Sequence, residues 1–163
     1  MDLPFDEAKI TQVIDRYKSY LLKIIDSKTL TFDELSKIDG RGRGLYLIFE
    51  EKELIYIGMT KNIKNRLNDL VTDFKRHSLN QILLGLELGD IIFKNTGYTF
   101  INDVIKKRLL QEEIITKQQY REFKKAVKEK IKKFNFKFYE TNLINLEDLE
   151  HFSIAVLNPI YNQ

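Results

Sequence analysis

Apolar positions in this chain recur with two periods. Ile10, Val13, Ile14, Tyr17, Leu21, Leu22 and Ile25 follow at three- and four-residue steps, which predicts an amphipathic helix over residues 6–26. Asp6 and Glu7 suit its positive end. Thr31-Phe-Asp-Glu34 is a capping-box pattern and predicts a short second helix. Two apolar runs of strand length come next, Leu45 to Phe49 and Leu54 to Ile57. The charged break Glu50-Glu51-Lys52-Glu53 between them predicts a β-hairpin. Asn62 then caps a helix to about Phe74, with Ile63, Leu67, Leu70, Val71 and Phe74 as its stripe. Leu79 to Leu88 predicts another helix, ended by Gly89-Asp90, and residues 100–115 and 117–133 predict two more, with Thr116 capping the second. Phe134 to Tyr139 alternates as a half-buried strand does. A last helix begins at the cap Asn145 and stops before Asn158-Pro159. Strands and helices of this kind in 163 residues predict one compact α+β domain.

The tyrosines of the hairpin set a question of register. Nine residues lie between Tyr46 and Tyr56. A plain two-residue turn at Glu51-Lys52 would put them on opposite faces of the sheet. A three-residue loop or a bulge would set Tyr46 opposite Gly58, with Tyr56 its diagonal neighbour, roughly 7–8 Å away on the same face. The break holds no Asn-Gly or Asp-Gly, so the same-face register is the one expected.

Charge changes the picture only locally. The net charge of +3 announces no polyanion partner for the molecule as a whole. The segment 117–133, however, carries eight basic residues in seventeen, among them Lys124, Lys125, Lys128 and Lys132. A solvated helix face accounts for such a run; a surface that neutralises several phosphates would also use it. There is no cysteine, which excludes disulfides and thiolate metal sites and fits a reducing compartment. No apolar run reaches the ~18 residues of a membrane span, and MDLPFDEAK lacks an apolar signal core. The expectation is a soluble, cytoplasmic protein.

Four side chains stand out against their surroundings. Arg66 falls about 40° beyond its helix's apolar stripe, where its stem lies along the core edge and its head reaches water. Glu150 falls between Leu157 and Ile154, inside the apolar arc of the last helix. A carboxylate there needs a cation, either an arginine or a metal. In Gly40-Arg41-Gly42-Arg43-Gly44 the glycines break regular structure; Arg41 and Arg43 are solvated connector residues or contacts to a phosphate backbone. His151 lies on a polar strip and is expected in solvent. Two histidines and no cysteine argue against zinc.

Gly44-Leu45-Tyr46, Tyr56-Ile57-Gly58, Arg66 ten residues on, and Glu150 followed by Asn162 twelve residues later make an ordered set. That set resembles the signature of the GIY-YIG nuclease superfamily, in a stand-alone or restriction-type form. The two stretches that carry it, 44–73 and 134–162, cover a little over a third of the chain. The resemblance implies a small three-stranded antiparallel sheet flanked by helices, with the strand at 134–139 pairing with the hairpin. It implies a core of 40–77 and 134–163, an N-terminal helical extension over 1–39, and a helical insertion over 78–133 suited to substrate recognition. It further implies metal-dependent hydrolysis of phosphodiester bonds in DNA, with RNA not excluded. Arg66 would bind the phosphate, Tyr46 or Tyr56 would take up the proton of the attacking water, and Glu150 would hold Mg²⁺ or Mn²⁺. Asn162 would shape the site, and Lys61 and His77 would contact nucleic acid. Met59 departs from the lysine of the family's repair enzyme, which turns the expectation toward restriction, defence or mobile-element nucleases. One site cuts one strand, so double-strand cleavage calls for a homodimer or sequential nicking. The rival reading is a catalytically silent nucleic-acid-binding module on the same fold. A third is an oligomer interface built from the apolar helices of 1–38 and 79–115.

Overall fold

The computed structural model describes residues 6–37, 42–74, 77–142 and 145–162. Helix α1 (Glu7–Ile25) leads to a two-residue strand, β1 (Leu30–Thr31), and the short helix α2 (Phe32–Ser36). The hairpin consists of β2 (Gly44–Glu50) and β3 (Glu53–Thr60) and runs into α3 (Ile63–Thr72). Helices α4 (Ser78–Leu88), α5 (Asp90–Thr96), α6 (Asp103–Gln111) and α7 (Lys117–Ile131) follow, then β4 (Asn135–Glu140) and α8 (Leu146–Leu157). The architecture is α+β around one antiparallel sheet of order β1-β4-β2-β3.

The sheet has four strands among the described residues, not three. β4 pairs with β2 as expected, Tyr46 opposite Phe138 and Ile48 opposite Phe136. The additional strand comes from the N-terminal segment, where Leu30 and Thr31 pair with Phe136 and Asn135. Two residues are too few to leave a period in the sequence, yet they cover part of β4's outer edge. Thr31 serves twice: its side chain also caps α2, and Glu34 returns a bond to its backbone N–H at 2.8 Å.

The two tyrosines share a face. Tyr46 stands opposite Gly58, although the turn at Glu51-Lys52 is a tight one with Glu50 opposite Glu53. A bulge reconciles the two facts: Ile48 opposes Tyr56 while Phe49 opposes Leu54, so Ile55 is one residue extra. Ile55 and Tyr56, neighbours in sequence, therefore both enter the same core.

Both faces of the sheet are buried, which is why the hairpin strands read as nearly unbroken apolar runs. On one face Leu45, Leu47 and Ile57 meet Tyr17, Leu21 and Ile24 of α1 and Leu146 and Leu149 of α8. On the other, Tyr46, Ile48 and Tyr56 join Leu67 and Leu70 of α3, Leu79 and Leu83 of α4, Leu109 of α6 and Val127 and Ile131 of α7. Residues 78–133 thus roof the tyrosine face and share its core. Within that roof α5 was not expected; Gly89, at φ 48°, ends α4 and the chain re-enters a helix at once. α6 starts later than residue 100, because Asn102 supplies the cap by accepting from Ile105 N–H at 2.9 Å. The α1 stripe runs past its core contacts, leaving Ile10, Val13 and Ile14 exposed. Among the described residues no helix is long and apolar enough to cross a membrane.

Gly58 is fixed by this packing. A Cβ there would collide with the Tyr46 hydroxyl and ring, whose Cε1 would lie 2.9 Å away. Gly58→Ala is expected to cost about 1–3 kcal/mol of stability, the usual range for overpacking. Urea denaturation of the variant against wild type measures it.

Candidate active site

β3 is the outer strand of the sheet, so its outward N–H and C=O groups need partners from elsewhere. The chain after α8 supplies them. Asn158 turns it back through a left-handed conformation, φ 46°. Ile160 N–H then donates to Leu54 O and Tyr161 N–H to Ile55 O, at 3.3 and 2.9 Å. The Asn162 side chain completes the row as a strand residue would. Its Oδ1 accepts from Ile57 N–H and its Nδ2 donates to Ile57 O, both at 2.7 Å. Last in the row, Glu150 Oε1 of α8 accepts from Met59 N–H at 2.9 Å. Glu150 and Asn162, far from the hairpin in sequence, are therefore held against its free edge.

On the tyrosine face Arg66 of α3 reaches over the sheet, and its Nε donates to Tyr46 Oη at 2.9 Å. The guanidinium also lies close enough to Tyr56 for the phenol to favour its charged form. The ring centroids of the two tyrosines lie 6.2 Å apart. The start of α4 supplies their remaining partners: His77 Nε2 lies 3.1 Å from Tyr46 Oη, and Ser78 Oγ 2.8 Å from Tyr56 Oη. His77 is 0 % exposed, so it offers no surface to a nucleic acid; the expectation of a contact there gives way to a role inside the site. Its burial beside Tyr46 was not legible, because the sequence places it after the arginine helix without showing that the chain folds back at α4. Ser78 carried no signal of its own.

Burial governs the ionisation of these groups. It pushes the Tyr46 phenol well above its ordinary range; Tyr56 adds to this, and Arg66 opposes it only in part. Burial also pushes His77 down to about 3, helped by the positive charge of Arg66. The histidine is thus neutral near pH 7. Tyr46 Oη accepts from Arg66 Nε and shares a hydrogen bond with His77 Nε2, while His77 Nδ1 is buried without a partner among the described residues. Burial raises the Glu150 carboxyl as well, against the Met59 N–H that favours the charged form.

Arg66 and Glu150 face each other across a cleft of ≈ 850 Å³ between the starts of α3 and α8. Arg43, Lys61, Asn65, Glu147 and Asp148 line it as well. Arg41 lies outside the described residues. Lys124, Lys125, Lys128 and Lys132 are not on this cleft. Lys124 sits with Nζ 4.8 Å from the Phe74 ring centroid, held below its usual range by burial and by Lys128 and Lys106. Lys132 bridges to Glu129 at 2.8 Å, and Lys125 is exposed. His151 is exposed.

The donor chemistry of the cleft fits a hard cation. The Met59 bond uses one oxygen of Glu150 and leaves Oε2 for another partner. Among the described residues no three His, Cys, Asp or Glu side chains converge as a cage. A Mg²⁺ site of one carboxylate, waters and substrate oxygens needs none.

His77 also makes a prediction about acid. The unfolded chain binds a proton at this histidine near pH 6.5, whereas the folded one does so only near about 3. The unfolded state therefore gains protons first as pH falls. Stability is unaffected above about pH 6.5 and is lost progressively between 6.5 and 3, by on the order of a few kcal/mol. His77→Gln, which keeps an acceptor for Tyr46 but does not titrate, is expected to flatten that part of the stability profile in pH-dependent urea melts.

Comparison of the chain with family models, with curated proteins and with solved structures returned no match.

Proposed function

We propose that this protein is a metal-dependent endonuclease that hydrolyses phosphodiester bonds in DNA, with a GIY-YIG-type site. The observation that carries the reading is the meeting of Arg66 and Glu150 on one cleft, with the buried Tyr46 hydroxyl bonded to Arg66 behind it. Arg66 binds the scissile phosphate, for which a planar, permanently charged guanidinium is suited, and stabilises charge on its oxygens as the attacking water closes in. Lys61 and Arg43 extend the positive lining along the backbone. Tyr46 and Tyr56 are the two candidates for taking up the proton of the attacking water. Tyr46 Oη lies 3.1 Å from His77 Nε2, but burial holds that imidazole at about 3, which makes it a weak proton acceptor, and Tyr56 Oη lies 2.8 Å from Ser78 Oγ. The raised pKa of Tyr46 keeps it a neutral phenol at rest. Glu150 would hold a Mg²⁺ or Mn²⁺ ion through Oε2, and such an ion supplies charge stabilisation for the leaving 3′ oxygen. Asn162 positions the β3 edge from which Glu150 hangs and moves no proton.

One observation favours a second reading, a binding module without chemistry: Glu150 and Asn162 are both accounted for by closing the β3 edge. Plasmid nicking separates the two. Wild type with Mg²⁺ or Mn²⁺ is expected to nick supercoiled plasmid, and Arg66→Ala and Glu150→Gln each to reduce the rate about 100-fold or more with unchanged circular dichroism. Tyr46→Phe and Tyr56→Phe are each expected to slow nicking, and the larger loss identifies the phenol that takes up the proton. DNA binding without cutting across metals and substrates would establish the binding module.

The pH profile of nicking carries a further expectation. Metal binding needs the Glu150 carboxylate, whose pKa burial raises. Activity is therefore present above that raised pKa and lost below it, and the acid limb sits above the ordinary carboxylate range. In Tyr46→Phe this limb is expected at the same pH, because the substitution leaves the Met59 and cleft contacts of Glu150 intact.

A further inference from the structure

A second cleft lies behind Tyr56. It measures ≈ 380 Å³ and is walled by Phe100, Tyr161, Ile82 and Ile160, with Ser78, Gln81 and Thr99 as polar residues. Its contrast with the Arg66 cleft is chemical. No charged side chain lines it among the described residues, whereas Arg43, Lys61, Arg66 and several carboxylates line the first. Ser78 belongs to its wall and at the same time holds the Tyr56 hydroxyl at 2.8 Å. Tyr56 in turn lies within electrostatic reach of Arg66. Ser78 and Tyr56 therefore connect the wall of this neutral cleft to the neighbourhood of the guanidinium.

The aromatic wall is held in place although it is open to solvent. Phe100 is 37 % exposed and packs edge-on against Tyr98, ring centroids 5.4 Å apart. Its loop lies directly on α4 at Gly85, where a Cβ would come within 2.6 Å of Phe100 Cα and would also collide with Thr99 O. Ile101 N–H then donates to Gln81 O at 3.1 Å and ties the loop to the helix. A glycine that admits the backbone this closely fixes Phe100 as a rigid surface. The opposite wall, Ile160-Tyr161, is fixed by its bonds to β3. Two ordered aromatic residues, apolar flanks and a few uncharged hydrogen-bonding groups are what an unstacked nucleobase requires; a phosphate would find no counter-charge there.

We propose that this second cleft receives one unstacked nucleobase adjoining the phosphate bound at Arg66. The proposal rests on the nuclease reading and deepens it: the enzyme engages a strand locally freed from its stack, with phosphate and base on opposite sides of Tyr56. Ser78 and Thr99 then meet the base's polar edge, and residues 78–101, within the helical insertion, read the substrate through this cleft and not through α7.

Full-length protein and short single-stranded oligonucleotides test it, by fluorescence anisotropy without metal. Each position of the oligonucleotide is replaced in turn by an abasic residue. For wild type, one position is expected where loss of the base weakens binding about tenfold or more, the scale of one stacked base. In Phe100→Leu, which keeps apolar bulk without a π face, that penalty is expected to vanish, and in Phe100→Tyr to persist. No sensitive position in wild type, or a penalty unchanged in Phe100→Leu, overturns the base pocket. If plasmid nicking by the same preparation is normal in that event, the nuclease reading stands and only the pocket falls. Failure of folded wild type both to bind any oligonucleotide and to nick plasmid overturns both.

Discussion

An outer β-strand cannot be left with its hydrogen-bonding row open inside a folded protein, and the closing of β3 organises this molecule. Leu54, Ile55, Ile57 and Met59 present that row, and four residues from the C-terminal stretch answer it. Two of the answers come from side chains instead of backbone. Asn162 imitates a strand residue with its amide, and Glu150 uses one carboxylate oxygen. A carboxylate in this place is unusual for edge closure alone, because an amide would satisfy Met59 N–H without carrying a charge into a half-buried position. Edge closure thus explains where Glu150 is but not why it is acidic. The cleft that it shares with Arg66 supplies a reason.

The tyrosine face follows from the same strand by a different device. The bulge at Ile55 restores the same-face register and stacks Tyr46 near Tyr56 under Arg66. Gly58 leaves room for the Tyr46 ring. The start of α4 then supplies His77 and Ser78, one to each phenol. The segment between α3 and β4 is therefore more than an appended recognition element, since it completes the hydrogen bonding of the site and roofs the core beneath it. Its basic helix α7 lies away from the Arg66 cleft, and Lys130 of that helix pairs with Glu50 beside the hairpin turn. That position suits solvation or a distant stretch of backbone better than the reaction centre.

The sequence disclosed those elements whose signals are local. The capping box at Thr31 and the caps at Thr116 and Asn62 formed as written, and at Thr116 Gln119 completes a capping box that was not expected. The alternation of Phe134 to Tyr139 produced β4, and the apolar arc around Glu150 foretold its half-burial. Signals that depend on tertiary contact were silent. β1 is too short for a period. α5 follows so closely on Gly89 that the glycine reads as an end and not as a joint. The burial of His77 depends on α4 folding back over the hairpin, which no spacing near the histidine reveals. The same holds for the second cleft, whose walls come from residues 78–101 and 160–161.

In the proposed nuclease, edge closure and chemistry would meet at Glu150, one oxygen holding Met59 N–H and the other a metal ion. Crystals grown with Mn²⁺ test that arrangement directly, through the anomalous signal of the ion. The expected density lies against Glu150 Oε2 on the side of the cleft that faces Arg66, with Oε1 still bound to Met59 N–H. Density at other carboxylates with none at Glu150, or a Glu150 side chain turned out of the cleft, would contradict it.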